Sequence, residues 1–207
     1  AEIVLLAVKP QQIKLVYEDL RDGLNEHRTV ISIAAGVTLV SICEGLEHRR
    51  AIRVMPNTPA QIGAGMSVWT TTADVTEEVH QQTKALLRTL GKEWYVDSED
   101  YLDMATAISG SGPAYVFAFI EALTEAGMSV GMPRNMAQTL ATETAVGATK
   151  LAQESGEDPA LLRQMVTSPG GTTEAALREF DRGQFKTTLI NAAGAAYRRA
   201  RELGGNS

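Results

Sequence analysis

Residues 3–8, Ile3-Val4-Leu5-Leu6-Ala7-Val8, form a continuous apolar run rich in β-branched side chains, closed by Lys9-Pro10. A short run of this kind predicts a strand buried on both faces, as in a parallel sheet. The pattern after it agrees. Ile13, Val16, Leu20 and Leu24 share one face of a helix predicted from about Gln12 to Leu24. Thr29-Val30-Ile31-Ser32-Ile33 reads as a second strand, closed by Ala34-Ala35-Gly36, and Thr38 can cap a short helix to Leu46. Ala51-Ile52-Arg53-Val54-Met55 is a third strand, followed by the rigid loop Pro56-Asn57-Thr58-Pro59. A fourth strand spans Met66 to Thr71, a helix runs from Thr76 to Leu90 with Gly91 as its stop, and Lys92 to Val96 is a last strand. Strands alternating with helices imply βαβ crossovers and a mainly parallel sheet. Ligands of such sheets bind at the carboxyl ends of the strands, where Ala7-Val8-Lys9-Pro10 and Ile33-Ala34-Ala35-Gly36 fall.

Beyond residue 97 the strand signals stop. Ser98 can cap a helix from Glu99 to Ile108, and Ser109-Gly110-Ser111-Gly112-Pro113 is expected to break it. The next helix, to about Met128, is apolar almost all round through Val116, Phe117, Phe119, Ile120 and Leu123, which predicts a buried helix. A long helix from Arg134 to Glu154 carries Ala137, Ala141, Ala145, Gly147, Ala148 and Ala152; such small residues suit close helix packing, within the chain or between subunits. Asp158-Pro159 starts a short helix to Val166, and two more helices are expected over 173–180 and 185–203. The fold class is therefore α/β and then all-α, divided into residues 1–97 and 98–207.

The whole chain sets limits. Its 207 residues allow one large domain or two small ones, and 44% hydrophobic with 21% charged residues is ordinary for a globular protein. A net charge of -6 argues against a general nucleic-acid binder, which needs a basic face. A single cysteine, Cys43, excludes an intrachain disulfide framework and agrees with a cytoplasmic setting. No apolar run reaches membrane-spanning length.

Chemistry-bearing signals are sparse. His27, His48 and His80 are scattered and read as solvated surface residues; no cluster has metal-ligand spacing. Cys43 sits in a helical pattern without a paired histidine and reads as core. Ser111 lacks the spacing of a nucleophile elbow, and neither a P-loop nor a G-x-G-x-x-G is present. One stretch is distinctive: Val166-Thr167-Ser168-Pro169-Gly170-Gly171-Thr172-Thr173-Glu174. It reads as a glycine-rich loop entering a helix capped by Thr172 or Thr173, with Glu174 in the first turn. Backbone N–H groups at such an entry suit an anion. An α/β sheet paired with an anion-ready helix start, and few acid–base residues, fits hydride transfer to a small anionic substrate, where orientation does most of the chemistry.

The segment Val166–Thr173 with Ala175-Ala176-Leu177 resembles the signature of pyrroline-5-carboxylate reductases. Ser109-Gly110-Ser111-Gly112-Pro113-Ala114-Tyr115, Met55-Pro56-Asn57-Thr58-Pro59, Ala7-Val8-Lys9-Pro10 and Ser32-Ile33-Ala34-Ala35-Gly36-Val37 match that family in the same order, over about Ile3 to Leu203. The resemblance implies a Rossmann domain followed by a helical domain for dimerisation and substrate binding. It implies reduction of the cyclic imine of 1-pyrroline-5-carboxylate to L-proline by NADPH or NADH, and a homodimer that builds a decamer of five dimers. Ala7, Val8, Lys9, Pro10, Ile33, Ala34 and Ala35 would border the cofactor. Gly170, Gly171 and Thr172 would receive the substrate carboxylate on their amides. Thr173 would bond the ring nitrogen as the catalytic contact, and Ser168 and Glu99 would line the substrate, with Glu99 the nearest acid.

The family's first strand and its glycine-rich phosphate turn are not in this sequence, so the chain is expected to carry only the later part of the dinucleotide domain. Two other functions fit the residues less fully: another NADP-dependent imine or ketone reductase of this architecture, and a non-catalytic oligomerising, anion-binding module.

Overall fold

The computed structural model describes residues 2–204. The chain forms two compact units, Ala1–Pro113 with Ala193–Ser207, and Ala114–Ala192. The division does not fall at the strand-to-helix switch near residue 97, because the helix after the switch and the last turns of the chain belong with the sheet.

In the first unit, five strands lie in the order β1 (Ile3–Leu6), β2 (Thr29–Ser32), β3 (Ala51–Met55), β4 (Gly65–Thr71) and β5 (Gly91–Tyr95). β1 to β3 are parallel, β4 runs antiparallel to β3, and β5 is parallel to β4. Strand alternation sends two apolar sets to opposite faces. Leu6, Val30 and Ala51 join Ile13, Tyr17, Ile42 and Leu46 from α1 (Ile13–Leu20) and α2 (Leu39–Leu46) in one core. Ile31, Ile52, Val54 and Trp69 meet Leu87 of α3 (Glu77–Arg88) in the other.

Local chemistry explains the helix starts. Thr38 accepts the Ser41 amide and Thr76 the Val79 amide, so both predicted caps are present. The helix predicted over 12–24 is shorter, with tight turns at Pro10–Gln12 and Arg21–Gly23 on either side of α1. Gly91 opens β5 and does not merely stop α3.

The run that predicted a doubly buried strand is only partly so. β2 is buried throughout, but β1 is an edge strand and Leu5 is 54% exposed. The core beneath α3 includes Ile3 and leaves Leu5 out.

The predicted break at 109–113 is absent. α4 (Asp100–Ala105) continues as a wide π turn, Thr106–Gly110, and α5 (Gly112–Ser129) starts at once. The Ser111 amide reaches back to the Thr106 carbonyl (2.8 Å), and Thr106 and Ser109 hydroxyls donate to the carbonyls four residues earlier. These bonds carry the chain across a stretch that glycine and proline would otherwise interrupt.

The second unit takes most of α5, then α6 (Arg134–Ser155), α7 (Pro159–Met165), α8 (Thr172–Arg182) and the first part of α9 (Phe185–Leu203). Asp158 caps α7 through the Ala160 amide. α5 and α6 approach closely: a Cβ on Gly127 would stand 2.8 Å from that of Ala137. Ala137 and Ala141 are buried there, so part of the small-residue stripe serves packing within the chain, whereas Gly147 and Ala148 are exposed. The expectation of a buried α5 fails for the isolated chain: Phe117 is 62% exposed, and Val116, Phe119 and Leu123 are exposed as well.

Candidate active site

The carboxyl ends of β1 and β2 carry the two segments expected to border a cofactor. Ala7 and Lys9 are exposed, and Val8, Pro10, Ile33 and Ala35 are half-buried. Ala34 differs: its side chain belongs to the core, leaving only its backbone for contact. The Ala34 amide donates to Ser32 Oγ (3.3 Å) and the Val37 amide to the Ala34 carbonyl (3.3 Å), which folds 34–37 into a tight turn. Ala7, Ala34 and Ala35 are the small side chains at these two neighbouring strand ends.

Next to this edge lies a buried charge cluster that sequence patterns did not single out. Arg53, in the central strand β3, is 3% exposed. Its Nη1 donates to Glu99 Oε1 and its Nη2 to Asp103 Oδ1, each at 2.8 Å. Glu99 Oε1 also accepts the Leu39 amide at 2.8 Å. A guanidinium with both arms on carboxylates is the arrangement that makes a buried arginine tolerable. The signals were present in the sequence: a charge between Ile52 and Val54 in a strand, and acids at 99 and 103, four apart on one helix face. Glu99, the nearest acid expected at the substrate, is held here by two hydrogen bonds to its Oε1. Asn57 was also missed. Its Oδ1 accepts the Met66 amide (2.8 Å) and its Nδ2 donates to the Ser109 carbonyl (3.1 Å), joining the β3–β4 loop to the π turn.

In the helical unit the distinctive loop differs in detail from the expected cap. Gly171, not Thr172 or Thr173, is the N-cap of α8, and no side chain caps it. The reason is backbone shape. Gly170 has φ +71°, a left-handed conformation that glycine adopts without penalty, and a Cβ on Gly171 would lie 2.5 Å from Ser168 Oγ. Glu174 reaches back, and its Oε2 accepts the Gly170 amide at 2.8 Å; its other oxygen pairs with Arg178 at 3.3 Å. The Gly171 amide donates to the Ser168 carbonyl (3.0 Å). Two of the amides expected to hold an anion therefore have internal acceptors. Those of Thr172, Thr173 and Glu174, the first turn of α8, have none among the described residues. Ser168 and Thr172 are exposed and Thr173 is half-buried.

Histidines and the cysteine take no part. His27 is exposed as expected, but His48 bonds the Arg28 carbonyl (2.8 Å), and His80 sits against Trp69 and Tyr95 at centroid distances of 4.6 and 4.7 Å. Those two pack into the fold, which corrects the surface assignment. Cys43 packs beside the first core, and burial pushes its thiol pKa up, away from nucleophile chemistry. Among the described residues no group of acids, histidines or cysteine could hold a metal ion.

Known proteins share this architecture. Residues 99–203 match the family model described as pyrroline-5-carboxylate reductase dimerisation. The pyrroline-5-carboxylate reductase of Pisum sativum is 43% identical over 203 residues, 98% of this chain and 74% of that protein. The chain belongs to the pyrroline-5-carboxylate reductase family. The structure of a pyrroline-5-carboxylate reductase from Coxiella burnetii superposes with a TM-score of 0.91 at 41% identity, covering 98% of this chain and 76% of that one. The Plasmodium falciparum pyrroline carboxylate reductase, crystallised with NADP bound, gives a TM-score of 0.92 at 30% identity, over 99% and 78%. The exposed α5 lies within the residues matched by the family model that is named for dimerisation. No described helix is long and apolar enough to cross a membrane.

Proposed function

We propose that this reductase converts 1-pyrroline-5-carboxylate to L-proline by holding the substrate on the loop before α8. The observation that carries this is the set of amides at Thr172, Thr173 and Glu174, which have no acceptor among the described residues and stand at the positive end of an eleven-residue helix. A ring carboxylate satisfies them. Gly170 and Gly171 shape the approach and keep it free of side-chain bulk. Thr173 Oγ1 has no partner among the described residues and can donate to, or accept from, the ring nitrogen. Ser168 contributes a hydroxyl beside the carboxylate. Glu99 lines the substrate by the family resemblance alone; its Oε1 accepts hydrogen bonds from the Leu39 amide and Arg53. Reduction adds a hydride to the imine carbon and a proton to the nitrogen; with no free acid in the loop, the proton comes from solvent.

NADPH or NADH supplies the hydride when bound. Ala7, Val8, Lys9, Pro10, Ile33, Ala34 and Ala35 would hold its nicotinamide end, Ala34 through backbone alone, and holding donor and acceptor in place would supply much of the rate. Self-association extends to a decamer of five dimers in a cytoplasmic setting; sedimentation mass tests the assembly.

Two measurements test the loop. Thr173→Val removes one hydrogen bond worth about 1 kcal/mol, more if its partner stays buried, and should lower kcat/KM roughly five- to tenfold while leaving the melting temperature in place. Unchanged kinetics would remove Thr173 from the mechanism. The second compares 1-pyrroline, which lacks the carboxylate, with the full substrate; equal KM values would remove the amides.

A further inference from the structure

We infer that Glu99 is a positioning residue for the cofactor: it ties the end of the nicotinamide-bordering turn to the buried Arg53. The turn from Ile33 to Thr38 is fastened at three points. At its start, the Ala34 amide donates to Ser32 Oγ. In the middle, Gly36 has φ +75°, and a Cβ there would come 2.9 Å from that of Leu203. At its end, the Leu39 amide donates to Glu99 Oε1, a residue sixty positions further along the chain. Leu39 opens α2, so its amide is one that the helix cannot satisfy. Thr38 Oγ1 accepts the Ser41 amide and leaves the Leu39 amide to Glu99.

Arg53 makes this fastening stiff. It shares its row across the sheet with Ser32 of β2 and Thr70 of β4, all three buried. Ser32 is the residue that anchors the start of the turn. One buried row thus serves both ends, directly at Ser32 and through Arg53 and Glu99 at Leu39. Asp103 occupies the other arm of Arg53 but is not bonded to the turn. The two acids therefore have separable tasks: Asp103 compensates a buried charge, and Glu99 also fixes the backbone against which the cofactor lies. This rests on the assignment of residues 33–35 to the cofactor.

Three variants of the intact protein separate the tasks: Glu99→Ala, Glu99→Gln and Asp103→Asn. Hydrogen exchange of the Leu39 amide is read without ligand. Dissociation constants for NADPH and NADH are read by fluorescence quenching without substrate. Glu99→Ala should speed Leu39 exchange and weaken dinucleotide binding about tenfold, the usual scale for a lost bond to a charged acceptor. Glu99→Gln keeps a carbonyl acceptor for Leu39 and should restore most of both. Asp103→Asn should lower the melting temperature while leaving Leu39 exchange and dinucleotide binding within twofold of wild type. Unaltered Leu39 exchange in Glu99→Ala, or equal loss of binding in Asp103→Asn, overturns the inference. Faster exchange with unaltered binding of a dinucleotide that wild type does bind also overturns it. Failure of wild type to bind either dinucleotide would instead remove the parent assignment, and Leu39 exchange would still report the tether.

Discussion

The sheet unit buries its apolar residues within the chain, whereas the helical unit displays them. Trp69, Ile52, Val54 and Leu102 are almost wholly inaccessible in the first. In the second, the buried residues are Thr124, Ala137 and Ala141, while Phe117, Val130, Met136 and Ile190 are exposed. Both segments are rich in apolar side chains, so composition does not separate them. The difference lies in what each unit leaves exposed: sheet and helices of one chain close the first core, whereas the second unit, matched by a family model named for dimerisation, leaves an apolar surface that self-association can cover. The glycine-rich loop proposed to hold the substrate lies in this helical unit.

The strongest way to break this contrast is Phe117→Asp. Each copy loses the burial of one aromatic side chain and gains a charge, so association should weaken by about 3–6 kcal/mol across a two-fold interface. Sedimentation should show monomer at concentrations where wild type associates, with helical content retained, because Phe117 is already exposed in the single chain. A dimer of unchanged strength would mean that α5 faces something else.

Arg53→Met attacks the other unit. Removing the guanidinium leaves both carboxylates without their cation, Glu99 keeping only the Leu39 amide, and a broken buried pair costs about 3–5 kcal/mol. The melting temperature should fall at every protein concentration, whereas the Phe117 variant should lose the concentration dependence itself. Two variants with the same concentration profile would erase the distinction between the units.

A smaller effect sharpens the picture of the sheet unit. The Tyr17 hydroxyl is buried without a partner, and burial, followed by the charge of Cys43, raises its pKa from 10.0 to about 12. The folded state thus favours the neutral phenol. Its contribution is full below pH 10 and is lost as pH rises from 10 toward 12, because the unfolded chain ionises first. Tyr17→Phe should leave stability near neutral pH almost unchanged and flatten the alkaline fall in melting temperature across that window.

Much of the fold was legible because the relevant forces are local. The periodicity of 3–96 gave alternating strands and helices, and Thr38, Thr76 and Asp158 announced their helix starts through side-chain oxygens close to the amides they cap. Local reasoning failed where a distant partner decides. Ser109-Gly110-Ser111-Gly112-Pro113 carries every breaker residue, yet the hydroxyls of Thr106 and Ser109 and the bond to Asn57 keep it wound.

The candidate site divides in the same way. The glycine-rich loop was visible because its two glycines answer a backbone requirement written into adjacent residues. Its cap was misassigned, since only the folded loop shows Glu174 returning to the Gly170 amide, the Gly171 amide bonded to the Ser168 carbonyl, and the amides of Thr172, Thr173 and Glu174 without an acceptor among the described residues. Glu99 was legible as an acid near the site, but its task was not, since it depends on Leu39 and Arg53, sixty and forty-six positions away. By itself the sequence determined the fold class, the family resemblance and the anion-ready loop, all carried by patterns within a few residues. The tertiary structure alone decided which amides keep an internal acceptor, which carboxylates hold Arg53 and which helix faces stay exposed in the single chain. Those depend on burial and hydrogen-bond completion between segments that only folding brings together.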